Sequence, residues 1–105
     1  MNRIALLNDL FRNTFLGGRI VITSAVNALP LDVKSLAFLK TKDFKDFNEE
    51  NDPYGEHDFG SFEIGADKFF WKIEYYDPEM IQGSEDPADP EKTTRVLTIM
   101  FADEH

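Results

Sequence analysis

KFFWKIEYY, residues 68–76, alternates between two kinds of side chain and decides the fold of this chain. One set is entirely apolar or aromatic and comprises Phe69, Trp71, Ile73 and Tyr75. The other set includes Lys72 and Glu74. Successive side chains of a strand point to opposite faces, so only one register buries the apolar set. The stretch therefore predicts a strand whose Trp71 face packs on the core.

Three further runs predict strands around this one. Phe62 and Ile64 alternate with polar residues, and Gly65 to Asp67 then predict a tight hairpin turn. The run 96–101 is apolar on both faces. Such a pattern is typical of a central strand covered on both sides, or of one crossing the thickest part of a core. The β-branched run 20–23 predicts a short strand.

Two segments have helical spacing. The first carries Ile4, Leu7, Phe11 and Phe15, with Leu6 and Leu10 widening the apolar stripe. Gly17-Gly18 is expected to end this helix, since glycine accepts a left-handed backbone. The second helix is predicted over about 32–40, after Pro30. The order α-β-α-β-β-β and the length of 105 residues predict one α+β domain over 1–105, with two helices on one face of a mainly antiparallel sheet of about four strands.

Two long connections are polar. Residues 48–60 are turn-rich, which predicts a loop. Residues 77–92 hold six acids against one Lys and contain three Asp-Pro steps. Proline fixes φ and restrains the preceding residue, so this second segment is expected to be an extended, acidic surface loop.

The charge is divided along the chain. Residues 1–42 carry six Lys or Arg and two Asp or Glu, a net +4, whereas residues 43–105 carry five and eighteen, a net −13. The total of −9 favours basic partners and repels nucleic-acid phosphate. There is no Cys, which excludes disulfides and thiolate metal sites. With neither a signal peptide nor an apolar run long enough to cross a membrane, a cytoplasmic protein without membrane contact is expected.

Three sequence blocks resemble a known family. They are NDPYGEHDFG at 51–60, FWKIEYYD at 70–77 and TRVLTIM at 94–100. In this order they are similar to the signature of small proteobacterial proteins, also found on mobile elements, that form a domain family of unknown function. The resemblance covers most of the chain from Gly17 onward. It implies a small bacterial single-domain protein and supplies no reaction, ligand or catalytic residue.

Glu56-His57-Asp58, with Asp52 close by, is the strongest chemical candidate. Flanking carboxylates favour imidazolium, or could join His57 as metal ligands with help from Glu74 or Asp77. In the structural alternative, Asp52, His57 and Asp58 bond loop backbone groups, while Tyr54 and Phe59 anchor the loop. Lys72, Glu74 and Tyr76 could form an acid-base site near His57, but a solvated sheet face is the more common meaning of this pattern.

The leading functional hypothesis is a non-enzymatic, acidic protein-binding module. Its predicted partner-binding residues are the acids of the second loop, Asp77, Glu79, Glu85, Asp86, Asp89 and Glu91. The expected partner is a basic protein surface, such as a nucleic-acid-handling complex of a defence system, with no direct nucleic-acid binding, cofactor, metal or catalytic set. Anti-CRISPR and anti-restriction inhibitors are the models for this hypothesis. The alternative is a small metal-dependent hydrolase or nuclease using the Glu56-His57-Asp58 loop.

Overall fold

Helices cover one face of a four-stranded sheet in the computed structural model, which describes residues 2–105. In chain order the elements are α1 Arg3–Thr14, β1 Gly18–Ile22, α2 Ser24–Asn27, α3 Leu31–Lys42, β2 Phe59–Ile64, β3 Asp67–Tyr76 and β4 Thr94–Phe101. Two 3₁₀ turns, Pro90–Lys92 and Ala102–Glu104, flank β4. The predicted α+β class is confirmed. The one-turn helix α2, which begins after the capping side chain of Thr23, was not predicted.

The sheet order is β1-β4-β3-β2. β3 pairs antiparallel with both β2 and β4, and β1 pairs parallel with β4. The predicted hairpin between β2 and β3 is confirmed, and Gly65 adopts φ +60° in its turn. The doubly apolar strand β4 is central, as predicted. Its helix-facing Leu97 and Ile99 are buried, and Val96 and Met100 on the opposite face are buried as well.

The alternation in residues 68–76 sets the register as predicted. Phe69, Trp71 and Ile73 are buried on the helix side, Tyr75 is half-buried, and Lys72 and Glu74 lie on the other face. The buried cluster consists of Phe11, Val26, Phe69, Trp71, Ile73, Leu97 and Ile99. The core therefore lies between the helical layer and one face of the sheet.

Trp71 lies at the centre of an aromatic group. Phe44 and Phe47 meet its ring edge to face, with centroid distances of 5.5 and 6.1 Å. The Arg12 guanidinium carbon lies 5.0 Å from the indole centroid. Opposite Trp71 on β2, a Cβ added at Gly60 would lie 2.5 Å from the indole nitrogen. Glycine is therefore required here by close packing.

The end of α1 differs from the expectation. The helix ends at Thr14, and Phe15, not glycine, adopts the left-handed conformation with φ 57°. Its backbone N–H donates to the Phe11 carbonyl at 2.7 Å, and its ring packs edge to face on Phe38 at 6.0 Å. That contact holds Phe15 in an unfavourable backbone region. Gly18 belongs to β1, where a Cβ would collide with the Phe11 ring at 2.8 Å.

Leu6 and Leu10 were expected to widen the buried stripe of α1, and this was wrong. They are 49% and 56% exposed, because the buried side of the helix is formed by Ala5, Asn8 and Phe11. The second predicted helix is confirmed as α3 and runs one residue earlier and two residues later than expected. Phe44 and Phe47 lie beyond its end and reach the core from the following loop.

Candidate functional site

The loop that joins β3 to β4 folds back on itself and is not extended as predicted. Gly83 forms an isolated β-bridge with Tyr76, and the Asp77 N–H donates to the Gln82 carbonyl at 2.8 Å. The Ser84 hydroxyl contacts the Thr93 hydroxyl at 2.8 Å and the Lys92 carbonyl at 2.9 Å. We call residues 77–92 the acidic loop. Its backbone has a defined shape even though the loop lies at the surface.

Two arginines attach the acidic loop to the body of the protein. Arg3 Nε donates to the Ala88 carbonyl at 2.7 Å, and Arg95 donates to the Pro87 carbonyl. Arg95 is buried in β4, and this burial lowers the pKa of its guanidinium. Because both anchors are backbone carbonyls, neither arginine forms a salt bridge with a carboxylate of the loop.

The six predicted partner-binding acids divide into two groups of three. Asp77, Asp86 and Asp89 each accept a backbone N–H within the loop at 2.9–3.1 Å, so they shape the turn. The glutamates Glu79, Glu85 and Glu91 are exposed. Glu85 pairs with Lys92 at 3.4 Å. This division follows side-chain length, since aspartate reaches its neighbouring backbone and forms such turns readily.

A depression of about 170 Å³ lies in the acidic loop. Its lining residues are Asp77, Pro78, Gln82, Gly83, Glu85, Glu91 and Lys92. Two of the three exposed glutamates thus border one concave surface. Its lining carries three carboxylates, Asp77, Glu85 and Glu91, against one ammonium, Lys92, and is therefore net negative.

The second candidate, the loop at 52–58, is held by its own side chains. Asp52 Oδ1 accepts the backbone N–H groups of Glu56 and His57 at 2.9 and 3.0 Å, which is the predicted structural role. His57 has φ 55°, a left-handed conformation. Its ring stacks on Phe47 with a centroid distance of 4.0 Å, and its Nδ1 lies 3.0 Å from both Asp9 oxygens. His57 therefore joins the loop to α1.

A chain of hydrogen bonds runs beneath this loop. Arg95 Nε donates to Asn8 Oδ1 at 2.7 Å, and Asn8 Nδ2 donates to the Tyr75 hydroxyl at 2.7 Å and the Glu56 carbonyl at 3.0 Å. The Tyr75 hydroxyl donates to Asp58 Oδ2 at 3.1 Å. We call Asn8, Tyr75, Asp58 and Arg95 the buried network. It connects α1 with β3, β4 and the 52–58 loop.

Burial is the main cause of the pKa shifts in the buried network and at the neighbouring Glu56. Burial raises the pKa of Asp58, the Tyr75 hydrogen bond lowers it in part, and the charge of Asp52 raises it further. Burial also raises the pKa of Tyr75 and, with the charges of Asp58 and Asp52, that of Glu56. Each of these shifts opposes ionisation, because a low-dielectric site disfavours charge.

We expect Asp58→Asn to be at least as stable as the unchanged protein at neutral pH. Since the folded state raises the pKa of Asp58, folding favours its protonated form. Protonated Asp58 therefore stabilises the fold most at pH values below its pKa in the unfolded chain. This stabilisation is lost as the pH rises through the pKa of Asp58 in the folded protein. Urea unfolding of both proteins at several pH values checks this. The stability difference should favour Asn most at neutral pH and shrink towards pH 4; a wild-type advantage that grows with pH would contradict it.

Some predicted neighbours of His57 lie elsewhere. Tyr54 is 81% exposed and does not anchor the loop; the Phe47–His57 stack and Asn8 do. Phe59 lies on the sheet face opposite the helices, against Phe70. Glu74 pairs with Lys72 on that same face, 3.5 Å away, and so does not join His57. Within residues 2–105, no group of three His, Asp or Glu side chains could hold a metal ion.

Sequence reasoning missed the residues that contact this loop from outside it. Asn8 and Asp9 contact the loop and interrupt the apolar pattern of α1. Arg95, which binds Asn8, is a charged residue in the mostly apolar strand β4. A buried polar residue inside an apolar pattern is the signal that could have identified them. The loop residues that Asn8 and Asp9 contact lie 48 residues further along the chain, so the sequence alone does not identify these pairs.

Comparison with known proteins finds one family. The model for the family described as "Protein of unknown function (DUF3768)" matches residues 22–104. The match confirms the resemblance to a family of unknown function and includes both loops, β2, β3 and β4. No curated protein and no solved structure matches the chain. In the described part of the chain, no helix has the length and apolarity needed to cross a membrane.

Proposed function

Since the chain belongs to this family of unknown function, we propose from its residues that it is a non-enzymatic protein-binding module. The acidic loop is its docking surface, and the partner presents Lys or Arg side chains. The observation that carries the proposal is that the aspartates and the glutamates of the loop have different roles. Three aspartates fix the backbone, while the longer glutamates remain exposed. A loop ordered before binding loses less entropy when it docks.

The type of partner follows from charge. The chain has a net charge of −9, so long-range attraction favours a basic protein surface and opposes direct contact with nucleic-acid phosphate. Nucleic-acid-handling complexes present such basic grooves. We therefore propose a cytoplasmic complex of this kind as the partner. Inhibition of a bacterial defence complex by a protein encoded on a mobile element is the form of this function that we favour.

Charge reversal at the three exposed glutamates should abolish partner capture. We expect Glu79→Lys/Glu85→Lys/Glu91→Lys to lose a protein that the unchanged chain retains from a native-host lysate. Folding should change by no more than about 0.5 kcal/mol per substitution, because these side chains are exposed. Association of the purified pair should also slow as salt rises, since exposed charges are screened over about 8 Å at physiological ionic strength.

The matched control changes the same net charge elsewhere. Glu49→Lys/Glu50→Lys/Asp103→Lys alters three exposed acids outside the acidic loop and should retain the partner. If both variants lost the partner equally, binding would depend only on net charge. If both retained it equally, the acidic loop would not be the docking surface. A saturable rise in melting temperature with zinc or manganese that depends on His57, together with turnover, would favour the hydrolase alternative.

A further inference from the structure

The helix α3 has apolar side chains on both of its sides. Ala37 and Thr41 are buried against the rest of the fold, whereas Leu36 and Leu39 on the outward side are 38% and 52% exposed. Within residues 2–105, only the inward side of α3 packs on other elements, α1, β2 and β4.

Opposite charges lie at equal distances from Leu36. Asp32 comes four residues before it and Lys40 four residues after it, and both are exposed. Residues four apart share a side of a helix, so these charges flank Leu36 on the outward surface. Neither forms a salt bridge within the described chain. If a second α3 lies antiparallel to the first and is aligned at Leu36, its Lys40 lies next to Asp32 of the first helix and its Asp32 next to Lys40.

We propose that α3 is a self-association surface on which a second copy of this chain docks its own α3. The two helices run antiparallel across a two-fold axis at Leu36. Leu36 and Leu39 of each copy pack on the other helix, and Asp32 of one copy faces Lys40 of its partner. A two-fold interface uses the same patch on both copies, so it requires this kind of self-complementarity.

The charge of α3 differs in sign from that of the whole molecule. Two copies with a net charge of −9 repel each other, but α3 holds one acid and three lysines. Contact at α3 therefore avoids the acidic loops and gains two cross-copy ion pairs. A single pair of helices is expected to bury less than the about 1,200 Å² of a standard interface, so dimerisation should depend on concentration. A dimer would present two acidic loops to a partner.

Sedimentation velocity from micromolar to millimolar protein tests the proposal. We expect the unchanged chain to shift from monomer to dimer, and Leu36→Glu to stay monomeric. The matched control is Leu31→Glu, because Leu31 is 76% exposed on the first turn of α3 and adds the same charge outside the interface. This control should dimerise like the unchanged chain. A monomer at every concentration, or equal disruption by Leu31→Glu, would overturn the proposal.

A charge exchange provides the second test. Asp32→Lys and Lys40→Asp should each weaken dimerisation about tenfold, since each replaces two attractive contacts by two repulsive ones. The double variant should restore it. Failure of the double variant to recover would disprove the antiparallel register. The three-glutamate variant of the acidic loop should still dimerise, so this inference and the proposed docking function can fail separately.

Discussion

Asn8→Ala should lower the free energy of unfolding by about 3–5 kcal/mol, because it removes three hydrogen bonds, one of them an acceptor for the buried Arg95 guanidinium. Asn8 accepts from Arg95 Nε and donates to the Tyr75 hydroxyl and the Glu56 carbonyl. Arg95 is buried and has no carboxylate partner within residues 2–105. A neutral amide thus serves as acceptor for the charge, and alanine cannot replace it.

The measurement is urea unfolding of Asn8→Ala beside Asn13→Ala. Asn13 is exposed on the same helix, so its replacement controls for the change in helix propensity and should alter stability by no more than about 0.5 kcal/mol. Hydrogen exchange should also rise in the acidic loop of Asn8→Ala, since Arg95 is one of its two arginine anchors. Equal effects of the two substitutions would mean that the buried network contributes no stability.

The strand pattern could be predicted from the sequence because it depends on local alternation. In residues 68–76, only one register buries Trp71, and the structure has that register. The parallel pairing of β1 with β4 had no such signal. Its partners are separated by about three-quarters of the chain, and pairing at that distance is decided by the packing of the whole fold.

The helix faces could be predicted only in part, because the periodicity of α1 and α3 includes more leucine than one core can bury. Leu6, Leu10, Leu36 and Leu39 all fit helical spacing and are all exposed. When leucines occur on more than one side of a helix, the sequence does not state which side faces the sheet. The polar residue Asn8 is buried on α1 because it meets Arg95 and Tyr75, two partners that only the folded chain brings to it.

The candidate site shows the same limit. The acids of the acidic loop were identified from composition, and whether they bind a partner stays a prediction. Their separation into turn-forming aspartates and exposed glutamates could not be predicted from composition, because it depends on which backbone N–H each carboxylate reaches in the folded loop. For His57 the sequence identified the residue and its structural partner Asp52, but not Asp9 or Phe47, since these lie on other segments.

Trp71→Ala should lower the free energy of unfolding by about 3–5 kcal/mol, the usual cost of removing a large buried aromatic side chain. Trp71 is fully buried and contacts Phe44 and Phe47 edge to face. Its loss also removes an aromatic face from the buried Arg12 guanidinium, whose pKa is lowered by burial. The opposing residue Gly60 cannot fill the space, so a cavity should remain.

The control for this prediction is Phe70, the preceding residue of the same strand. Phe70 points to the opposite face of the sheet, is only partly buried and contacts Phe59 and His105. Phe70→Ala should therefore cost less than half as much as Trp71→Ala in the same urea titration, because the cost of truncation scales with the apolar area that was buried. Equal costs would place the core on both faces of β3 and contradict the one-sided helical layer. A larger loss of stability for Phe70→Ala than for Trp71→Ala would indicate that Phe70, not Trp71, faces the core, and would contradict the register of β3.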